Sequence, residues 1–68
     1  MTPLEFAPRL ALALKALSIS RGHLASALGV DKSVISRWLN GANMPSGFNL
    51  SGLTTMVAAR RPGFTMLD

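Results

Sequence analysis

Apolar residues recur at helical spacing over the first part of the chain. The stripe consists of Leu4, Ala7, Leu10, Ala11, Leu14 and Leu17. This spacing predicts a helix over about residues 3–17. Thr2 and Glu5 are spaced as in a capping box, and Pro3 suits the first helical position. Pro8 has no N–H to donate to the preceding turn, so we expect the first turn of this helix to be irregular.

Two shorter helices are predicted next, each preceded by a capping residue. Ser20 is a good N-cap for a helix over residues 21–28, and Gly29 stands where a left-handed residue usually ends a helix. Asp31 places a carboxylate at the start of a helix over residues 32–40. The apolar residues expected to face the core from these two helices are Leu24, Ala25, Leu28, Ile35, Trp38 and Leu39.

Gly41 ends the third helix and opens a loop over residues 41–49 that is rich in Gly, Asn, Pro and Ser. Asn49 is a candidate N-cap for a fourth helix over about residues 50–60, although Gly52 weakens that helix by roughly 1 kcal/mol relative to Ala. Its inward face is expected to contain Leu50, Leu53, Met56 and Val57.

Pro62 and Gly63 end the fourth helix, and the whole chain, residues 1–68, is predicted to be one domain. Two alternatives stay open for the apolar tail over residues 62–68: it contributes to a dimer interface, or a longer protein has been cut there. Phe48, Met56, Phe64, Met66 and Leu67 have no obvious place in a four-helix core, and a dimer interface would accommodate them.

Composition narrows the class of protein. Apolar residues make up 49% of the 68 residues, with no Tyr and few aromatics, which favours an all-α fold. The chain has no Cys, one His and three acidic residues, so neither a disulfide nor a metal site is expected. The same scarcity excludes an acid/base pair with a positioned nucleophile, so we predict a non-enzyme without a cofactor. The net charge of +4 indicates a polyanionic partner, most commonly nucleic acid.

The segment over residues 20–41, SRGHLASALGVDKSVISRWLNG, resembles the helix-turn-helix of the Cro/lambda-repressor (Xre-type) family. The resemblance extends over about residues 6–57. Residues that match the family pattern are Leu24, Ala25, Leu28, Gly29, Val30, Ile35, Ser36, Trp38 and Gly41. It implies a compact bundle of four to five helices in which the third helix lies in the major groove of double-stranded DNA. It also implies a homodimer that acts as a transcriptional regulator, more often a repressor.

Helical geometry divides the third helix into a core face and an opposite face. The candidates for contact with DNA bases on the opposite face are Lys32, Ser33, Ser36 and Arg37. The candidates for contact with phosphates are Ser20, Arg21, Asn40 and Asn43. The family commonly has Gln at the position of Arg21, where it bonds a phosphate and braces the recognition helix. Arginine keeps the phosphate contact, and this departure leaves the bracing bond open.

Two other functions are weighed against DNA binding. A helical protein-interaction module of the same fold would hold its partner in an apolar groove that responds little to salt, whereas binding to phosphates weakens steeply with salt. A cationic membrane binder needs basic residues beside an apolar stripe, and the first helix offers only Arg9 and Lys15. We therefore expect a cytoplasmic, nucleoid-associated regulator of the bacterial or phage type, with no membrane partner and no small-molecule substrate.

Overall fold

A computed structural model describes residues 1–60 and shows four helices within them. These are α1 (Pro3–Leu17), α2 (Arg21–Leu28), α3 (Lys32–Leu39) and α4 (Gly47–Arg60). The predicted all-α bundle is confirmed, and the bounds of α1 and α2 agree with the sequence pattern. The third helix ends one residue earlier than predicted, because Asn40 serves as its C-cap. The predictions for Pro62, Gly63 and the tail lie outside the described residues.

All four helices contribute to one apolar core. The largest side chains that are fully buried come from every helix: Phe6, Leu10, Leu24, Ile35 and Leu53. Within residues 1–60 the core contains no buried polar or charged side chain. Burial of apolar area is therefore the main source of stability, at about 25 cal/mol per Å² removed from water.

The inward face of α1 differs from the predicted stripe. Phe6 and Ala13 are buried, whereas Leu4 is 74% exposed and Ala11 is also exposed. The sequence pattern is ambiguous here because α1 is apolar on more than one side, and Leu12 is 60% exposed as well. The large ring of Phe6 decides which side is buried, since it removes the most apolar area from water.

The start of α1 forms the predicted capping box, with the Thr2 N–H donating to Glu5 Oε1 at 3.0 Å and the Glu5 N–H donating to Thr2 Oγ1 at 3.2 Å. The predicted irregular first turn is wrong, since α1 runs unbroken through Pro8. Pro8 is exposed, so its ring lies on the solvent side of the helix. The chain reverses at Ser18, whose φ of 55° leads into the buried Ile19.

The fourth helix begins at Gly47, three residues before the predicted start at Leu50. The Leu50 N–H donates to the Ser46 carbonyl at 2.8 Å, which makes Gly47–Asn49 the first turn. Asn49 therefore lies inside the helix and is not its N-cap. The predicted inward face is confirmed: Leu53 and Val57 are buried, while Leu50 and Met56 are partly buried against the core.

Gly52 has a packing role that offsets its cost to α4. A Cβ atom built at Gly52 would lie 3.1 Å from Leu28 Cδ2, closer than most such contacts. The absence of a side chain therefore lets α4 approach the end of α2. None of the helices in the described part of the chain combines the length and the apolar character that a membrane crossing requires.

Two glycines of the α2 region are expected to respond in opposite directions to replacement by Ala. Gly29 has φ +70°, so Gly29→Ala should lower the free energy of unfolding by about 1 kcal/mol through backbone strain. Gly22 lies within α2 with nothing near its missing Cβ, so Gly22→Ala should raise it by up to roughly 1 kcal/mol. Urea titrations of both variants measure the difference, and equal effects would contradict the assigned role of Gly29.

Two acidic residues at helix N-termini, Glu5 of the α1 capping box and the α3 N-cap Asp31, should make stability depend on pH in the acid range. Hydrogen bonds from Thr2 lower the pKa of Glu5 from its ordinary value of 4.5, and hydrogen bonds from Ser33 lower the pKa of Asp31 from 3.8. Because the unfolded chain binds these protons more readily, the caps contribute fully above about pH 4.5, and their contribution is lost as the pH falls through the lowered pKa values.

Thermal unfolding followed between neutral pH and about pH 2.5 tests this expectation. The midpoint should fall over the acid range in the parent protein. The combined variant Glu5→Gln and Asp31→Asn retains side chains that can cap both helices but removes their titration. The unfolding midpoint of this variant should depend less on pH. If the slope of midpoint against pH is the same as in the parent protein, Glu5 and Asp31 are not responsible for the pH dependence.

Candidate nucleic-acid interface

The connection over residues 29–31 holds α2 and α3 in a fixed relation. Gly29 adopts φ 70°, and the Val30 N–H donates to the Ala25 carbonyl at 3.0 Å. The Val30 side chain packs against the core. Asp31 Oδ2 then accepts the Ser33 N–H at 2.9 Å and caps α3. Each residue of this connection therefore has a local reason for its conformation.

The third helix divides into a buried side and an exposed side. Ile35 is 0% exposed and Trp38 is 2% exposed, so both anchor α3 in the core, as predicted. Lys32, Ser33 and Arg37 are exposed. The exposed side therefore presents two cationic side chains next to a short hydroxyl, a combination suited to hydrogen-bond acceptors on a polyanion.

Ser36 is half-buried, in contrast to the other three predicted base contacts. The Arg21 guanidinium Nη1 donates to Ser36 Oγ at 3.3 Å. The bracing bond that the sequence left open is thus present in the structure, with arginine as the donor. It joins the first residue of α2 to the middle of α3, fifteen positions further along the chain.

The predicted phosphate contacts fall into two groups. Ser20 and Arg21 lie at the start of α2, where Ser20 Oγ accepts the His23 N–H at 3.0 Å. Asn40 and Asn43 are exposed after the end of α3. Asn40 follows Ser36 by one helical turn, since the Asn40 N–H donates to the Ser36 carbonyl at 3.0 Å. Ser36 therefore bonds to Arg21 through its side chain and to Asn40 through its backbone, whereas Asn43 lies three residues beyond Asn40.

One acidic side chain accompanies the cations of this surface. Asp31 stands at the start of α3, where the Ser33 hydroxyl and then its backbone N–H lower the pKa of the carboxyl, with a smaller contribution from the positive charge of Arg37. Asp31 is consequently ionised at neutral pH. The charged side chains of α2, α3 and their connection are Arg21, Lys32 and Arg37 against Asp31.

One contact near the surface was not predicted. His23 is exposed, and its Nε2 lies 3.2 Å from Arg60 Nη2 at the end of α4. The two residues are 37 positions apart, and no local sequence pattern reports such a contact. Within residues 1–60, no three side chains of His, Asp or Glu lie close enough together to hold a metal ion.

Comparison with protein families supports the resemblance seen in the sequence. A family model described as helix-turn-helix matches residues 10–54, well over half of the chain. The match begins within α1, contains α2, the connection and α3, and extends into α4. No curated protein and no solved structure matches the chain.

Proposed function

The chain belongs to the helix-turn-helix family of DNA-binding proteins of the Cro/lambda-repressor (Xre-like) type, and we propose that it is a sequence-specific repressor of transcription. In this proposal α3 lies in the major groove of double-stranded DNA and α2 crosses the backbone. One observation carries the argument: α3 buries Ile35 and Trp38 while its opposite side exposes Lys32, Ser33 and Arg37. The role is that of a binding protein and not of an enzyme.

Base recognition is assigned to Lys32, Ser33, Ser36 and Arg37. Arg37 is suited to a bidentate contact with O6 and N7 of guanine, and Lys32 to either acceptor as a single donor. The two serines are short and allow α3 to approach the base edges closely. Because Ser36 Oγ already accepts from Arg21, its hydroxyl hydrogen remains for an acceptor on the DNA.

Phosphate contacts are assigned to Ser20, Arg21, Asn40 and Asn43. Arg21 is suited to two tasks, since a guanidinium carries five N–H donors and only one is used on Ser36. The remaining donors are available to a phosphate oxygen, so one side chain would tie the DNA backbone to the recognition helix. Contacts of this kind fix the register of the protein without specifying sequence.

A homodimer completes the proposal. Two copies would read two half-sites about one helical turn apart, which is the usual arrangement for this class of domain. Such a dimer on an operator would exclude RNA polymerase and so repress transcription. The site of action would be the nucleoid in the cytoplasm of a bacterium, or of a phage-infected cell, without a membrane or small-molecule partner.

Selection of binding sites from a random double-stranded DNA library tests this function. Arg37→Ala and Lys32→Ala should each relax the preference at particular base positions, with a loss of about 1–3 kcal/mol of discrimination for a bidentate contact. Arg21→Ala should instead weaken all sequences similarly and reduce the slope of log affinity against log salt by about one. Arg9→Ala serves as the control, because Arg9 lies on α1 and belongs to no assigned contact.

A salt-insensitive complex, or no complex with any DNA, would contradict the proposed function. A salt-insensitive complex with a protein partner would favour the alternative of an interaction module with this fold. An effect of Arg9→Ala as large as that of Arg37→Ala would contradict the assignment of α3 as the reading helix.

The contact between Arg21 and Ser36 should appear as coupling between the two residues in DNA affinity. If Arg21 holds α3 through Ser36 on the DNA, the losses caused by Arg21→Ala and Ser36→Ala should not add in the double variant. The difference from additivity should reach about 0.5–1.5 kcal/mol, the net value of one hydrogen bond. Affinities of the four proteins for the selected site measure it, and strict additivity would show that the bond is lost on DNA.

A further inference from the structure

An open groove of about 590 Å³ lies between the end of α2 and the length of α4. The residues lining it are Ala27, Leu28, Phe48, Asn49, Ser51, Gly52, Thr55, Met56 and Ala59. The groove is mostly apolar, and its polar members are hydroxyls and one amide. None of the residues assigned to DNA contact lines it, so the groove is separate from the assigned DNA surface.

Phe48 stands beside this groove as an exposed apolar projection. Its side chain is 85% exposed, more than any other large apolar residue in the described part of the chain. It lies in the first turn of α4 and is itself one of the residues that line the groove. Exposed aromatic residues next to an apolar depression are typical of binding surfaces.

We infer that the groove is occupied by a second copy of this chain, with Phe48 of each copy inserted into the groove of the other. One face carries both a projection and a depression, which is the condition for a two-fold symmetric interface. The inference deepens the proposed homodimer and rests on it, because it names the surface through which the two copies associate.

Charge favours a second copy over a charged partner. The chain has a net charge of +4, so two copies repel each other at most orientations. Among residues 1–60 no charged residue lines the groove, whereas Arg21, Lys32 and Arg37 lie on the assigned DNA surface. Association through this face brings the uncharged surfaces together. A nucleic acid or an acidic peptide would instead be expected to bind where cations are present.

The area available limits the strength of the dimer. A stable interface buries about 800 Å² per partner and involves about 20–30 residues on each side. The accessible surface of this protein is 4003 Å², so such an interface would take about a fifth of it. The described part of the chain supplies nine residues to the groove. We therefore expect a dissociation constant in the micromolar range or weaker, with two adjacent half-sites on DNA raising the effective concentration of the second copy.

The second helix connects this interface to the assigned DNA surface. Ala27 and Leu28 line the groove at one end of α2, and Arg21 contacts Ser36 of α3 at the other. An eight-residue helix is about 12 Å long. Two-fold packing at the groove would therefore set the separation and orientation of the two recognition helices through a short, rigid element.

Sedimentation equilibrium of the full chain without DNA tests the inference. The parent protein should show a reversible equilibrium of monomer and dimer, and Phe48→Glu should weaken it by about tenfold or more. Leu12→Glu is the matched control, since Leu12 is also exposed, lies on α1 and does not line the groove. It makes the same change in charge and should leave the equilibrium unchanged. Circular dichroism checks that both variants are folded.

The chain has no Cys, so a single introduced thiol gives an independent measurement. Thr55→Cys in the groove should form a disulfide-linked dimer on mild oxidation, and Leu12→Cys should not. A folded parent protein that remains monomeric at millimolar concentration would overturn the inference. Equal weakening by Phe48→Glu and Leu12→Glu would also overturn it, as would specific binding of an apolar peptide to the groove of a monomer.

Binding to a single DNA half-site separates this inference from the proposed function. The Phe48→Glu variant should bind DNA with one half-site as tightly as the parent protein does. It should lose the higher affinity that the parent has for DNA with two adjacent half-sites. If the parent protein binds no half-site, the proposed function fails while the sedimentation result still decides the dimer. If half-site binding is intact and association is absent, only the dimer surface is wrong.

Discussion

The burial of Ile35 and Trp38 is the interaction on which the rest of the molecule depends. A helix of eight residues is not stable alone in water, because one nucleation cost is spread over few hydrogen bonds. The third helix therefore exists because these two side chains are nearly inaccessible and because α3 packs mainly against α1 and α2. The position of its exposed side follows from the same burial, since side chains opposite the anchored stripe must point away from the core. The burial of these two residues therefore determines both the core contact of α3 and the direction of its exposed, cationic side.

Charged and apolar side chains have separate roles in this protein. Both acidic residues in the described part of the chain cap helices, and the core there contains no buried polar side chain. Stability therefore depends little on ion pairs, and the cations of α2 and α3 are left available for a partner. Each helix cap uses hydrogen bonds between residues close in sequence and therefore needs no arginine or lysine. Ion pairs on so small a surface would instead compete with a polyanionic partner for the same arginines and lysines.

Capping residues and turn glycines predicted the central part of the fold well. The errors arise where the structure depends on contacts between residues distant in sequence. Ser20, Gly29 and Asp31 determine helix ends through hydrogen bonds within a few residues, so the sequence is sufficient to locate α2 and the start of α3. The inward side of α1 depends on which apolar side chain fills the space left by other helices. The start of α4 depended on a backbone bond to Ser46 that no side-chain pattern reports. For the same reason the contact of Arg21 with Ser36 and the groove beside Phe48 were not predicted, since residues distant in sequence meet there.

The second helix contacts both α3 and α4, although its apolar and polar residues are less clearly divided between two faces than those of the other three helices. Its start carries the arginine that reaches α3, its middle buries Leu24 and Ala25, and its end contacts α4 where Gly52 lacks a side chain. A side chain at Gly52 would require the Leu28 side chain to shift, and both residues line the groove, so the glycine that weakens α4 also shapes the surface beside it. The lower helix propensity of Gly52 therefore accompanies a close approach of α4 to Leu28 at the end of α2.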